Sequence, residues 1–284
     1  MRQNAKISSI AIWGLGRVGT GFALALQSLP NSLHLFSSSE TSRARASSVG
    51  LSVLTSLDEW ASQAARADLI ALAWSDDAIA DARASLPFSP SADQTVIHFS
   101  GLLNAKALGI SDAELGSIHP LAACATPENA KEVFRRGPLV LEGSPRAVET
   151  LENLAKTLGA QTSLLSEGQK TRYHAGAVLA SNALVGLLHT ALKEWQASGL
   201  EDAQQLLLSL SQSALSAVSE TDLQRGLTGP LKRGDIGSIR LHLEALDGPA
   251  QTIYRLLHLK LIELLGDQHF DETLRNELET LLNS

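Results

Sequence analysis

Lys170, His174, Ser181 and Asn182 put an ammonium, an imidazole, a hydroxyl and an amide along one stretch that opens Glu167-Gly168-Gln169-Lys170-Thr171-Arg172-Tyr173-His174. At about 3.6 residues per helical turn the first three fall within roughly 40° of one another, with Asn182 about 80° beyond His174. These are the types that polarise a carbonyl and move a proton during hydride transfer. The same run also suits a solvated first turn followed by a buried, hydrogen-bonded histidine and asparagine. His119 precedes Pro120, which holds its backbone extended and aims the ring at a substrate carbonyl or carboxylate, unless it is a histidine satisfied by its neighbours. Cys124 has no activating partner in the sequence, so a catalytic thiol is not expected. Between Leu227 and Asp235, two glycines and a proline fix a tight connection in which Thr228, Arg233 and Asp235 are candidates to line a cleft. Its Arg-Gly-Asp triplet is not read as an adhesion signal.

Such groups act only beside a reactant. The turn Gly14-Leu15-Gly16-Arg17-Val18-Gly19 has the spacing that brings backbone N–H groups and a helix N-terminus against a pyrophosphate, because a Cβ there would obstruct the approach. The spacing alone is weak evidence. Here it follows a strand, opens a helix and lies inside a βαβ unit, which is the confirming context. The end of the next strand sets cofactor type. NAD is held there by an acidic residue on the ribose hydroxyl, whereas this chain has Ser37, Ser38 and Ser39 followed by Arg43 and Arg45, which suit the 2′-phosphate of NADP. The alternative makes the arginines solvated helix residues and Glu40 a helix-start acid. Further strand ends offer Trp74, Ser75 and Asp76, then Ser100 and Gly101, then His119. Asp76 and Asp77 also suit a helix start, and Ser100-Gly101 an ordinary turn.

The elements that must position these residues read as a Rossmann-type doubly wound parallel sheet, followed by an all-α domain. Strands are expected at residues 7–12, 33–36, 51–54, 68–74, 95–99, 116–118, 138–141 and 162–165. Helices are expected at 18–29, from Ser75 to about Leu86, and near 146–158. After residue 166 strand signals cease, and Leu- and Ala-rich segments of helical period form roughly five helices broken at Gly199, Gly226–Pro230, Gly248-Pro249 and Gly266. The expected domains are 1–165, binding the dinucleotide, and 166–284, binding substrate and dimerising.

Composition restricts the rest. The 284 residues exceed what one core usually supports, and 44% apolar content is ample for two. A net charge of −7 without a basic block argues against nucleic acid or an anionic membrane as partner. One cysteine permits no intrachain disulfide, Met1 to Ser9 is polar, and the longer apolar stretches are interrupted, so a soluble cytoplasmic protein is expected. No metal site is expected. The Leu-rich helices from about 200 to 282 carry more apolar positions than one small bundle needs, which points to a homodimer.

Together, the glycine turn at 14–19, Ser100-Gly101, Gly116-Ser117-Ile118-His119-Pro120, Lys170 with Tyr173-His174-Ala175, Ser181-Asn182 and residues 227–235 resemble a bacterial family that joins a Rossmann-like domain to a C-terminal helical domain of unknown function. That family is similar in architecture to the 6-phosphogluconate dehydrogenase-like reductases, among them pyrroline-5-carboxylate reductase, ketopantoate reductase and the β-hydroxyacid dehydrogenases. The resemblance implies a helical domain that dimerises and closes over the cofactor. His119-Pro120 resembles the His-Pro step of prephenate dehydrogenases. Lys170 resembles the helix lysine of β-hydroxyacid dehydrogenases, with His174 where those enzymes carry asparagine. The expectation is an NADP-dependent oxidoreductase acting on a small anionic carbonyl or imine compound. Lys170 is general acid/base or polariser, His174 assists proton transfer or orients the substrate, His119 is expected with them as a catalytic residue, and His119, Ser181, Asn182, Thr228 and Arg233 bind substrate. A non-catalytic NADP-binding module with a protein partner is the alternative.

Overall fold

Eight short β-rich runs pair side by side in the computed structural model, which describes residues 7–284. Met1 to Lys6, part of the polar segment noted above, lie outside the described residues. The strands are β1 (Ser9–Trp13), β2 (Ser32–Phe36), β3 (Val53–Leu54), β4 (Leu69–Leu72), β5 (Thr95–His98), β6 (Glu114–Pro120), β7 (Pro138–Gly143) and β8 (Gln161–Leu164), in the order β3-β2-β1-β4-β5-β6-β7-β8. β1 to β6 run parallel, and β8 is parallel to β7. β7 itself is antiparallel to β6, with Ser117 opposite Glu142. The sheet is therefore not uniformly parallel as the apolar runs implied. Such a run records burial on both faces, and burial is blind to chain direction.

The helices among these strands are α1 (Arg17–Leu26), α2 (Glu40–Ser48), α3 (Leu57–Ala64), α4 (Asp76–Ala80), α5 (Ala82–Ser85), α6 (Pro127–Arg136), α7 (Pro145–Leu158) and α8 (Lys170–Ala180). The helix expected from Ser75 to Leu86 is two short ones, because Asp81 leaves helical geometry at φ −99°, ψ 12°. Each face of the sheet has its own core. One holds Phe22, Phe99 and Phe134 with the apolar faces of α1 and α7, the other Trp60, Ile70, Leu72 and Ile79. Chain order β3-β2-β1-β4 reverses direction between β1 and β4, and outside the carboxyl ends of strands at such a reversal a crevice forms where ligands bind.

Residues through Ser181 form one compact unit and Asn182–Ser284 a second. The contact boundary thus follows α8, whereas the sequence reading placed it after the last strand. The second unit comprises α9 (Asn182–Ala197), α10 (Ala203–Glu220), α11 (Leu223–Gly226), α12 (Ile236–Ala245), α13 (Gly248–Leu265) and α14 (Glu272–Asn283). Its core, including Leu231, Ile239, Leu243, Ile262, Leu278 and Leu282, draws on residues after 230. α9 buries no residue, and residues 170–197 form a helical stretch long and apolar enough by composition to cross a membrane.

Candidate active site

The glycine turn separates two reasons for being glycine. Gly14 has φ +107°, and a Cβ there would lie 2.4 Å from the Ala73 carbonyl oxygen. Its N–H donates to the Phe36 carbonyl at 2.9 Å, tying the end of β1 to that of β2. At Gly19 a Cβ would fall 2.0 Å from the Gly14 carbonyl oxygen, so the helix can start only if this residue has no side chain. Both are required by the protein itself. Gly16 is not. Its φ of −69° is ordinary and a Cβ would meet nothing within 4 Å. It caps α1 facing open space, at the spot where helix N–H groups would meet a phosphate. Leu15 is fully buried and Val18 packs on the core, so they offer that space only backbone, while the Arg17 side chain is exposed beside it.

On the β2 side of the turn, a cleft of about 310 Å³ is lined by Trp13, Gly14, Ser37, Ser38, Trp74 and Ser75. Trp13 and Trp74 meet edge to face with centroids 4.7 Å apart. Arg43 donates to the Ser37 carbonyl at 2.6 Å and the Ser38 carbonyl at 3.2 Å, which fixes this loop, and Ser39 caps α2 by accepting from the Ser42 N–H. Glu40 is the first residue of α2 and exposed.

On the β5–β6 side the groups are imidazoles. Gly101 follows β5, and a Cβ on it would lie 2.6 Å from His174 Nδ1 and 2.8 Å from His119 Nε2. Two rings therefore rest against one glycine, their centroids 6.0 Å apart at 77°. His119 Nδ1 is 2.6 Å from the Tyr173 hydroxyl. Burial, then the nearby Lys170 charge, lowers His119 to about 4, and burial raises Tyr173 to about 12, so both are neutral at pH 7. His174 Nδ1 is buried and has no hydrogen-bond partner, the one such side-chain atom among the described residues. An orphan of this kind costs about 1–3 kcal/mol and marks a place where something other than stability decides the residue.

Beneath the rings lies a polar layer. Lys170 is 3% exposed and donates to the Ser100 carbonyl at 2.6 Å. Desolvation lowers it to about 8 against the opposing charges of Glu142 and Asp76. The Ser100 hydroxyl accepts from the Leu102 and Leu103 N–H groups at 3.0 and 2.9 Å, so it shapes the loop. His98, fully buried, accepts from the Ser100 N–H at Nδ1 and bonds the Asn104 carbonyl through Nε2, which fixes a neutral tautomer. Glu142 accepts from the Ala105 N–H at 2.8 Å and from the Ser117 hydroxyl at 3.3 Å. Ser75 occupies the N-cap of α4 without a side-chain cap bond, leaving Asp76 in the first turn.

The structure thus gathers Gly101, His119, Lys170 and His174, and adds Tyr173, His98 and Glu142, none of which the sequence reading assigned a role. Ser181 does not join them. It shares an angular position with Lys170 but lies 11 residues along, about 16 Å of helix rise, and its hydroxyl donates back to the Ala177 carbonyl at 2.6 Å. Asn182 opens α9 in the second unit, and Thr228 and Arg233 are exposed within that unit. There Lys232 donates to the carbonyls of Gln224, Arg225 and Leu227, and Asp235 caps α12 through the Ser238 N–H, so the 227–235 connection is held by its own residues. Cys124 is half-buried, and burial pushes its thiol up, away from the reactive thiolate.

Residues 137–261 match a family model described as a domain of unknown function, DUF2520. The fold matches protein TM1727 from Thermotoga maritima at 22% identity and TM-score 0.71, over 90% of this chain and 98% of that one. It matches BF3122 from Bacteroides fragilis, named provisionally as an NADP oxidoreductase, at 23% identity and TM-score 0.70 over the same shares. The 1-pyrroline-5-carboxylate reductase of Streptococcus pyogenes matches at 19% identity and TM-score 0.58, over 97% of this chain and 96% of that one. These likenesses show the fold, a Rossmann-type α/β domain followed by a helical domain. No curated protein matches the sequence significantly.

Proposed function

We propose that the chain is an NADP-dependent oxidoreductase that moves a hydride to or from a small anionic carbonyl or imine compound. The observation that carries this is Gly16, whose lack of a side chain nothing in the protein demands, at the head of an edge whose other end holds two imidazoles against Gly101. A dinucleotide fits that edge. Its pyrophosphate would take the N–H groups that open α1, with Arg17 beside them. The 2′-phosphate would lie by Ser37–Ser39, where Arg43 already holds the loop. Trp74, Ser75, Asp76, Ser100 and Gly101 would face the rest of the cofactor. When bound, the nicotinamide supplies or accepts the hydride.

The chain's own contribution is the surface around Gly101. His119 and His174 present imidazole nitrogens to a substrate heteroatom, and the Lys170 ammonium biases the site toward an anionic substrate. Asn182, Ser181, Thr228 and Arg233 remain assigned to substrate on the sequence reading, as does the division into domains 1–165 and 166–284. The exposed Leu179, Val185, Leu206, Leu210 and Leu215 favour a homodimer in which a second copy covers them, and the cytoplasm is the compartment proposed on the sequence reading. Light scattering tests this, with a mass of one chain as the contrary result.

The activity test is NADPH oxidation against 2-keto acids, 3-keto acids and cyclic imines. Turnover with at least one class is expected, with loss in His174→Ala while NADPH still binds. Tight NADPH binding with no oxidation across all classes contradicts the enzyme reading, and a higher affinity for NADH than for NADPH contradicts the cofactor.

A further inference from the structure

We infer that Tyr173 and His119, and not Lys170, form the proton-transfer unit of this site, Tyr173 acting through His119 as a positioning residue that holds the ring with its proton on Nε2 and replaces that proton once it is given up. The inference rests on the reading of the site given above. Three observations carry it. Lys170 is buried, and its ammonium is spent on the Ser100 carbonyl at 2.6 Å, so reaching a substrate would break that bond and strand the carbonyl. The carbonyl cannot follow it, because the Ser100 hydroxyl is itself bound to two loop N–H groups. His119, by contrast, has one nitrogen engaged, by the Tyr173 hydroxyl at 2.6 Å, and the other, Nε2, set against Gly101.

The charges facing His119 fix which form of the ring is present. Tyr173 and His174 approach from α8, Lys170 stands at the head of that helix, and Asp76 lies in the first turn of α4. Burial and the Lys170 ammonium outweigh Asp76 and keep the ring neutral. With the phenol as donor, Nδ1 is the acceptor and Nε2 carries the hydrogen. In the reduction of a carbonyl by a reduced nicotinamide dinucleotide, the substrate carbon gains the hydride and its oxygen takes the Nε2 proton. Nδ1 takes the phenol proton as the Tyr O–H bond breaks, and the phenolate regains a proton from water. The same transfers apply at an imine nitrogen.

The test joins the histidine titration of the unliganded chain, followed by NMR with His119→Gln as the assignment, to steady-state kinetics. In Tyr173→Phe the neutral ring loses its donor, so the His119 midpoint rises by about one unit or more. kcat falls about tenfold or more while KM stays within about twofold. Lys170→Gln, which keeps a donor for the Ser100 carbonyl but removes the ammonium, raises KM for an anionic substrate with the smaller loss in kcat, whereas His119→Gln loses about a hundredfold or more in kcat. An unmoved His119 midpoint in Tyr173→Phe, or turnover lost in Lys170→Gln and kept in His119→Gln, overturns the inference. Failure of the native chain to bind NADPH strikes the preceding reading instead, and the His119 titration still decides the Tyr173 contact.

Discussion

At the glycine turn the decisive residues have no side chain, whereas at the ends of β5 and β6 they are imidazoles, a phenol and an ammonium. The first region works by leaving room, since Gly14 and Gly19 let the chain fold back on itself and Gly16 leaves helix N–H groups uncovered. The second works by filling it, with rings packed on Gly101 above a buried layer of Lys170, His98 and Glu142. On the proposed function, binding and chemistry separate along one sheet edge, and substitutions at the two places should then fail in different ways.

The largest effect is expected from Gly19→Ala. Its Cβ would fall 2.0 Å from backbone, so stability drops by about 3 kcal/mol or more, read by urea unfolding. Gly16→Ala keeps stability within about 1 kcal/mol, the scale of a changed cap, and instead loses NADPH affinity. Comparable unfolding of the two variants would erase the distinction drawn between these glycines.

Next in size is the acid response of the imidazole end. Burial lowers His98 from 6.5 to about 4, so its contribution is complete above pH 6.5 and lost as the pH falls through 4. The shift corresponds to roughly 3 kcal/mol. Unfolding free energies measured between pH 7 and 4 should fall accordingly, and the fall should be smaller in His98→Asn.

Gly101→Ala should then lower kcat by about a hundredfold, because the new methyl displaces both rings, while NADPH affinity changes by less than about threefold. Arg43→Ala has the smallest effect. Freed from the Ser37 and Ser38 carbonyls, the loop should lose about tenfold in NADPH over NADH preference, about 1.4 kcal/mol by competitive titration.

Much of this was legible in the sequence. All eight strands form where they are expected, most of them on apolar runs, and Gly14, Gly16 and Gly19 mark their helix start by spacing together with the strand before them. The direction of β7 was not legible, since Pro138–Gly143 is equally apolar either way. Lys170, His119 and His174 were identified by type, but their partners were not. Tyr173 meets His119 across 54 residues, and no local period reports a contact made by tertiary packing. Angular periodicity carries no information about rise along the axis, so it does not report the 11 residues that separate Ser181 from Lys170. Neither α3 nor α6 was anticipated, although Thr126 with Pro127 is a helix start in plain view, its hydroxyl capping the Asn129 N–H.

The measurement closest to the central claim is a crystal structure of the chain with NADPH bound. The pyrophosphate should lie on the N–H groups at Gly16 and Arg17, with the adenosine by Ser37–Ser39 and the nicotinamide beside Gly101, within reach of His119. A nicotinamide lodged elsewhere, with His119 and His174 facing only solvent, would contradict the assignment of this edge as a hydride-transfer site.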